Sequence, residues 1–170
     1  SGPKVQSVTV NLEESFLSLT YDEPVRGISV DASDIALLSN AFGHEISLTG
    51  IDNILLDNST TILLNITADD LNSIKYAHAV GALDKLLLSV DAVVDLFGNS
   101  MVGDEEYDGL KLLVPIDDFV EDVTEPTLLA FSIDLNTNII YLTFDELIEW
   151  NSLIPDHIML YSSSNMSDPL

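Results

Sequence analysis

The chain of 170 residues contains no cysteine. That excludes a disulfide framework, thiol catalysis and cysteine-ligated zinc, while leaving export open. Basic residues are nearly as scarce: 5 Lys and Arg stand against 29 Asp and Glu, a formal net charge of −24. Such a surface repels phosphate backbones and anionic headgroups, so neither nucleic-acid binding nor adsorption to a membrane is expected. No apolar run reaches the roughly 18–20 residues of a membrane-crossing helix, so no membrane insertion is expected either. Aromatic residues make up only 7%, with a single tryptophan, Trp150. No signal peptide is visible, and Ser1-Gly2-Pro3 reads as a cloning or processing remnant, so the chain is expected to be a fragment of something longer.

Apolar material, by contrast, is ample. Hydrophobic residues account for 46% of the chain, enough for a packed core despite the charge. The acidic excess attracts cations, which leaves two readings: carboxylates that coordinate calcium, or a generally acidic surface without specific ions.

Compared with itself, the chain shows an internal repeat. Pro3-Lys4-Val5-Gln6-Ser7-Val8-Thr9-Val10 restarts 123 positions later as Pro126-Thr127-Leu128-Leu129-Ala130-Phe131-Ser132-Ile133. The register then holds without a gap. Leu19-Thr20-Tyr21-Asp22-Glu23 falls on Leu142-Thr143-Phe144-Asp145-Glu146, and Ile35-Ala36-Leu37 on Ile158-Met159-Leu160. Identities are few, but they sit at core-facing and turn positions. The expected organisation is a first repeat over residues 3–116, an acidic linker over 117–125, and an incomplete second repeat over 126–170. Half a sandwich cannot close its own core, so either the rest has been removed or another chain supplies the missing strands.

Short alternating segments rich in β-branched residues predict strands at 5–12, 16–21, 35–38, 45–48, 51–56, 61–66, 86–90, 92–94 and 110–114. That number and spacing is expected of a Greek-key sandwich. One helix interrupts the pattern. Thr67-Ala68-Asp69-Asp70 reads as its N-cap, with carboxylates where the helix dipole favours them, and Leu71, Ile74 and Ala77 share one face over two or three turns. Pro24 reads as the end of the second strand, because proline cannot donate to a ladder. Gly98-Asn99 reads as a turn.

These residues resemble a known family. The order is an apolar strand after a proline, then Leu19-Thr20-Tyr21-Asp22-Glu23-Pro24-Val25, then Ile35-Ala36-Leu37, then the turn Asp95-Leu96-Phe97-Gly98-Asn99. It is similar to the immunoglobulin-like and cadherin-like repeats arrayed in large extracellular surface proteins. The second copy departs from it at Leu147, which stands where the first has Pro24. The resemblance implies an all-β, immunoglobulin-like Greek-key β-sandwich with one short helix, in tandem. It further implies an extracellular or cell-surface location, a structural or adhesive role, and neighbouring repeats or copies of the chain as partners.

Motifs for chemistry are missing. His44, His78 and His157 lack metal-ligand spacing, and no nucleophile elbow, Walker loop or dinucleotide fingerprint occurs, so no enzyme is expected. A carbohydrate-binding module on the same sandwich is the alternative; it calls for exposed aromatics, and Trp150 is either such a residue or a core tryptophan. Calcium is the one chemical candidate, because it requires clustered oxygen ligands. The linker offers Asp117, Asp118, Glu121, Asp122 and Glu125, and the strand ends offer Asp22 and Glu23, with Asp145 and Glu146 as their counterparts. Residues 103–109 form a further acidic loop. The cadherin resemblance implies calcium stiffening the joint; a solvated acidic linker is the competing reading. Three N-glycosylation sequons begin at Asn58, Asn65 and Asn165.

Overall fold

Strict alternation organises the first hairpin. In β1 (Val5–Asn11) Val8 and Val10 are fully buried, and in β2 (Phe16–Arg26) Leu17, Leu19 and Tyr21 point to the same side. This is the period of two that a half-buried strand imposes. In the computed structural model, residues 2–26, 30–39, 43–55 and 58–161 are described, and the chain divides into two compact units, Ser1–Thr124 and Glu125–Leu170.

The first unit continues through β3 (Ile35–Ser39), β4 (His44–Ser47), β5 (Ile51–Leu55), β6 (Ser59–Ile66), helix α1 (Ala68–Gly81), β7 (Lys85–Ser89), β8 (Val94–Asp95), β9 (Lys111–Pro115) and β10 (Asp118–Val120). One sheet has the order β10-β1-β2-β6-β5, with β8 also paired to β2; the other has the order β4-β3-β7-β9. The order β1-β2-β6-β5 opposite β4-β3-β7-β9 is that of an immunoglobulin-type Greek-key sandwich. Ile62 and Leu64 of β6 join the β1–β2 residues from one sheet, and Ile35, Leu37, Leu86 and Leu88 come from the other, all in one core cluster. Each such side chain, taken fully out of water, contributes about 1.5–3 kcal/mol before entropy is counted. Among the described residues the fold is all-β apart from one α-helix and short 3-10 turns.

Helix α1 starts where the sequence places it. The Thr67 side chain accepts the Asp70 N–H at 3.3 Å, and Ile74 is fully buried with Leu71 and Ala77 packed against the core. It runs 14 residues, longer than the expected two or three turns. Its last turn is closed by a side chain instead of a glycine: His78 Nδ1 accepts the Leu83 N–H at 3.2 Å.

Two expectations need correction. Pro24 does not end β2, which continues to Arg26. The β2–β6 register breaks between Thr20 and Val25, so Pro24 sits where no ladder donor is required. The strand expected at 92–94 is instead the two-residue β8, preceded by a turn in which the Ala92 N–H bonds Ser89 O.

The second unit holds β11 (Leu128–Asp134) and β12 (Ile139–Phe144), an antiparallel hairpin, followed by 3-10 turns at Trp150–Ser152 and Pro155–His157.

Candidate functional site

Of the acidic linker expected over 117–125, residues 117–124 lie along the first unit as a strap. β10 pairs in parallel with β1, Thr9 opposite Asp118 and Asn11 opposite Val120. The Asp117 N–H bonds Val8 O at 2.9 Å, and the Asp117 carboxylate accepts the Val8 N–H at 2.8 Å. One turn further, the Leu12 N–H bonds Val120 O at 2.9 Å. Beyond β10 the chain passes the β1–β2 turn, where one carboxylate holds it twice: Glu13 accepts the Val123 N–H at 2.8 Å and the Thr124 hydroxyl at 2.7 Å.

Helix α1 braces the strap from the side. The His78 ring stacks on Phe119 of β10, centroids 3.7 Å apart and 9° from parallel. Its Nε2 faces Glu121 at 3.8 Å, and Lys75 forms an ion pair with Asp122, both side chains mostly buried. With both side chains mostly out of water, their attraction offsets the cost of desolvating them, and removing either partner would strand a buried charge.

The candidate calcium ligands are therefore dispersed over different tasks. Asp117 serves Val8; Asp122 serves Lys75 and the Thr124 N–H at 2.9 Å; Glu121 faces His78. Asp22 accepts the Lys4 N–H at 2.8 Å, Glu23 is half-buried on β2, and Asp118 is exposed on β10. Glu125 and Asp145 lie in the second unit, where Asp145 accepts the Thr127 N–H at 2.7 Å. In the loop over 103–109, Asp104 accepts the Leu113 N–H at 2.8 Å. Among the described residues no group of three or more His, Asp and Glu is placed to share a metal ion.

Of the sequon asparagines, Asn58 is exposed in the turn before β6, with φ of +56°. Asn65 is half-buried within β6, between β2 and β5. Asn165 and the side chains of Trp150 and His44 lie outside the described residues.

Two buried carboxylates, legible in the sequence only as parts of a helix cap and a turn, hold loops in place. Asp70 accepts the N–H and hydroxyl of Thr49, each at 2.8 Å, and the Gly50 N–H at 3.1 Å, tying α1 to the β4–β5 loop. Burial alone would raise its carboxyl pKa, but the hydrogen bonds from Thr49, Gly50 and Thr67 outweigh it and hold the group below the ordinary carboxylate value. Asp95 gathers the turn Asp95-Leu96-Phe97-Gly98-Asn99, accepting the Phe97 and Asn99 N–H groups at 2.8 Å and the Asn99 side-chain amide at 2.6 Å. The Asn99 side chain first, then these backbone bonds, keep Asp95 below its ordinary value. Gly98 sits at φ +86°, where a Cβ would be strained.

The two hairpins correspond residue for residue at an offset of 123. β1–β2 pairs Val5 with Tyr21 and Asn11 with Phe16; β11–β12 pairs Leu128 with Phe144 and Asp134 with Ile139. Both registers shift at the same place, between Val5 and Ser7 and between Leu128 and Ala130. Ser15 and Asn138 share a left-handed φ of 58°. The Asp22–Lys4 backbone latch recurs at Asp145–Thr127, and the 3-10 turn Ala32–Asp34 recurs at Pro155–His157. Burial differs. Phe131 is 63% exposed where Val8 is 0%, and Ile140 is 41% exposed where Leu17 is 0%.

No known protein family matches the chain, and no curated protein matches it. Solved structures of the S-layer protein SbsC are similar: its residues 31–844, its domains 1–6, and the N-terminal part of this bacterial S-layer protein. Each is 11% identical with a TM-score of 0.42 over 84% of this chain. The chain spans 18%, 18% and 31% of their respective lengths.

Proposed function

We propose that the chain is a structural module of a tandem-repeat protein displayed outside the cell, with a repeating unit of 123 residues. The observation that carries this reading is the parallel pairing of β1 with β10. Two parallel strands at the start and end of a unit take the chain in at one pole and let it out at the other. Entry lies at Lys4, beside Asp22, and exit at Thr124, beside Glu13 in the turn at the far end of β1. A unit that returned its chain to the entry pole would suit a string of modules poorly.

The matching hairpins support the same reading from the other side, because a bulge, a left-handed turn residue and a backbone latch all recur at one offset. The exposed apolar face of β11–β12 is what a sandwich half without its facing sheet would present. The strong negative charge suits a module that stays soluble and does not adhere to nucleic acid or anionic lipid. Among the described residues no helix is long and apolar enough to cross a membrane.

Scattering from two, three and four linked copies of residues 3–125 tests the proposal. The maximum dimension should grow with each copy by about 30 Å or more, the length of a ten-residue strand. Copies that add mass without adding length would refute it.

A further inference from the structure

We infer that the first unit is built to bear tension along the chain, with β1 and the strap as its mechanical clamp. The inference stands on the internal geometry of this unit, so it stands or falls separately from the cell-surface role.

Consider a force applied at Lys4 and at Thr124. It draws β1 toward its own N-terminus and β10 toward its own C-terminus. Because the two strands are parallel, those directions are opposed along one shared axis, and the strands must slide past each other. Sliding strains every connection between them together. These connections are the Thr9–Asn11 ladder with Asp118–Val120, the doubled Asp117–Val8 contact and the Leu12–Val120 bond. Glu13 adds two bonds past the end of the ladder, and Lys75 and His78 resist lateral escape of the strap. β1 is also flanked on its other side by β2, over six paired positions.

The same chain contains the opposite geometry. β11 and β12 are antiparallel with Leu128 opposite Phe144, so their outer ends lie side by side. Pulling those ends apart opens one pair at a time, and the force never meets more than one or two bonds.

Because the chain has no cysteine, two introduced thiols define a unique pair of handles on the full chain. Lys4→Cys with Glu125→Cys pulls along the clamp; Lys4→Cys with Glu23→Cys peels β1 from β2 at the entry pole. In single-molecule pulling, rupture along the clamp should need at least about twice the force of peeling, since forced unfolding reads the height of the unfolding barrier. The clamped rupture should release roughly 400 Å of chain, the ~120 residues between the handles at about 3.6 Å each less roughly 30 Å already spanned by the folded unit. Adding Asp117→Ala and Glu13→Ala should lower the force along the clamp by a clearly larger factor than the peeling force, which meets the Asp117–Val8 contact as one bond in a sequence. Equal forces in the two directions, or a clamp force untouched by both alanines, would overturn the inference.

Discussion

The Asp117 carboxylate accepts the Val8 amide proton at 2.8 Å across 109 positions of chain, and the Asp117 amide returns a bond to Val8 carbonyl at 2.9 Å. This reciprocal contact turns an acidic stretch that looks like a linker into the last structural segment of a sandwich. It also joins the beginning of the unit to its end.

Tyr21 is 3% exposed, and its hydroxyl has no hydrogen-bond partner among the described residues. Burial drives its pKa well above the usual tyrosine value, so the group stays neutral. A buried hydroxyl without a partner costs about 1–3 kcal/mol relative to one left in water. Tyr21→Phe is therefore expected to leave stability unchanged or raise it by about 1 kcal/mol, and the second copy already carries Phe144 at that position. Urea unfolding checks this; a loss of more than about 1 kcal/mol would show that the hydroxyl has a partner in solution.

Asp70→Ala removes three bonds to the β4–β5 loop and leaves the Thr49 and Gly50 donors unmet. The expected loss is about 2–4 kcal/mol, larger than an ordinary helix-cap deletion because the acceptor is charged and buried. Asp70→Asn should fall between alanine and the natural residue. Amide exchange at Thr49 and Gly50 should accelerate in both variants.

Asp70 and Asp95 both have folded-state pKa values lowered below those of the unfolded chain. For a depressed carboxylate the stabilisation is complete above the unfolded value and is lost as pH falls through the folded one. The unfolded value is about 4, so unfolding free energy should hold as the pH is lowered to about 4 and decline below it. Asp95→Asn should flatten that acid limb. An acid limb unchanged in both the Asp70→Asn and the Asp95→Asn variants would contradict the assignment.

Of the linker carboxylates, Asp117 is bonded to Val8 and Asp122 to Lys75 and the Thr124 amide, and among the described residues no three His, Asp or Glu are placed to share a metal ion. Calcium at millimolar concentration should accordingly raise the melting midpoint no more than magnesium at matched ionic strength, since both screen the same excess of negative charge. A calcium-specific increase, which a true site gives through mass action, would restore the calcium-stiffened joint.

Much of this was legible in the sequence. Alternation at Val8, Val10, Leu17 and Leu19 marks the core strands, and the 123-residue offset aligns the two hairpins down to their bulges. Thr67 and Ile74 place the helix. The strap was not legible, for a physical reason. Its bonds run from backbone amides and single carboxylates to partners over 100 positions away, at Val8 and Glu13, and leave no period or motif in the local sequence. Likewise, Asp70 looks like any first-turn carboxylate until the loop it holds is seen. Pro24 misled because a proline ends a strand only where its missing N–H is needed.

The first unit closes only with its strap, which pairs with β1 and is held by Glu13. Urea unfolding of three chains tests this most directly: residues 2–170, 2–124 and 2–116. The expected result is that ending at 124 leaves the midpoint of the first unit unchanged, while ending at 116 lowers it sharply through loss of β10, the Asp117–Val8 contact and the Glu13 bonds. A chain ending at 116 as stable as one ending at 124 would contradict it.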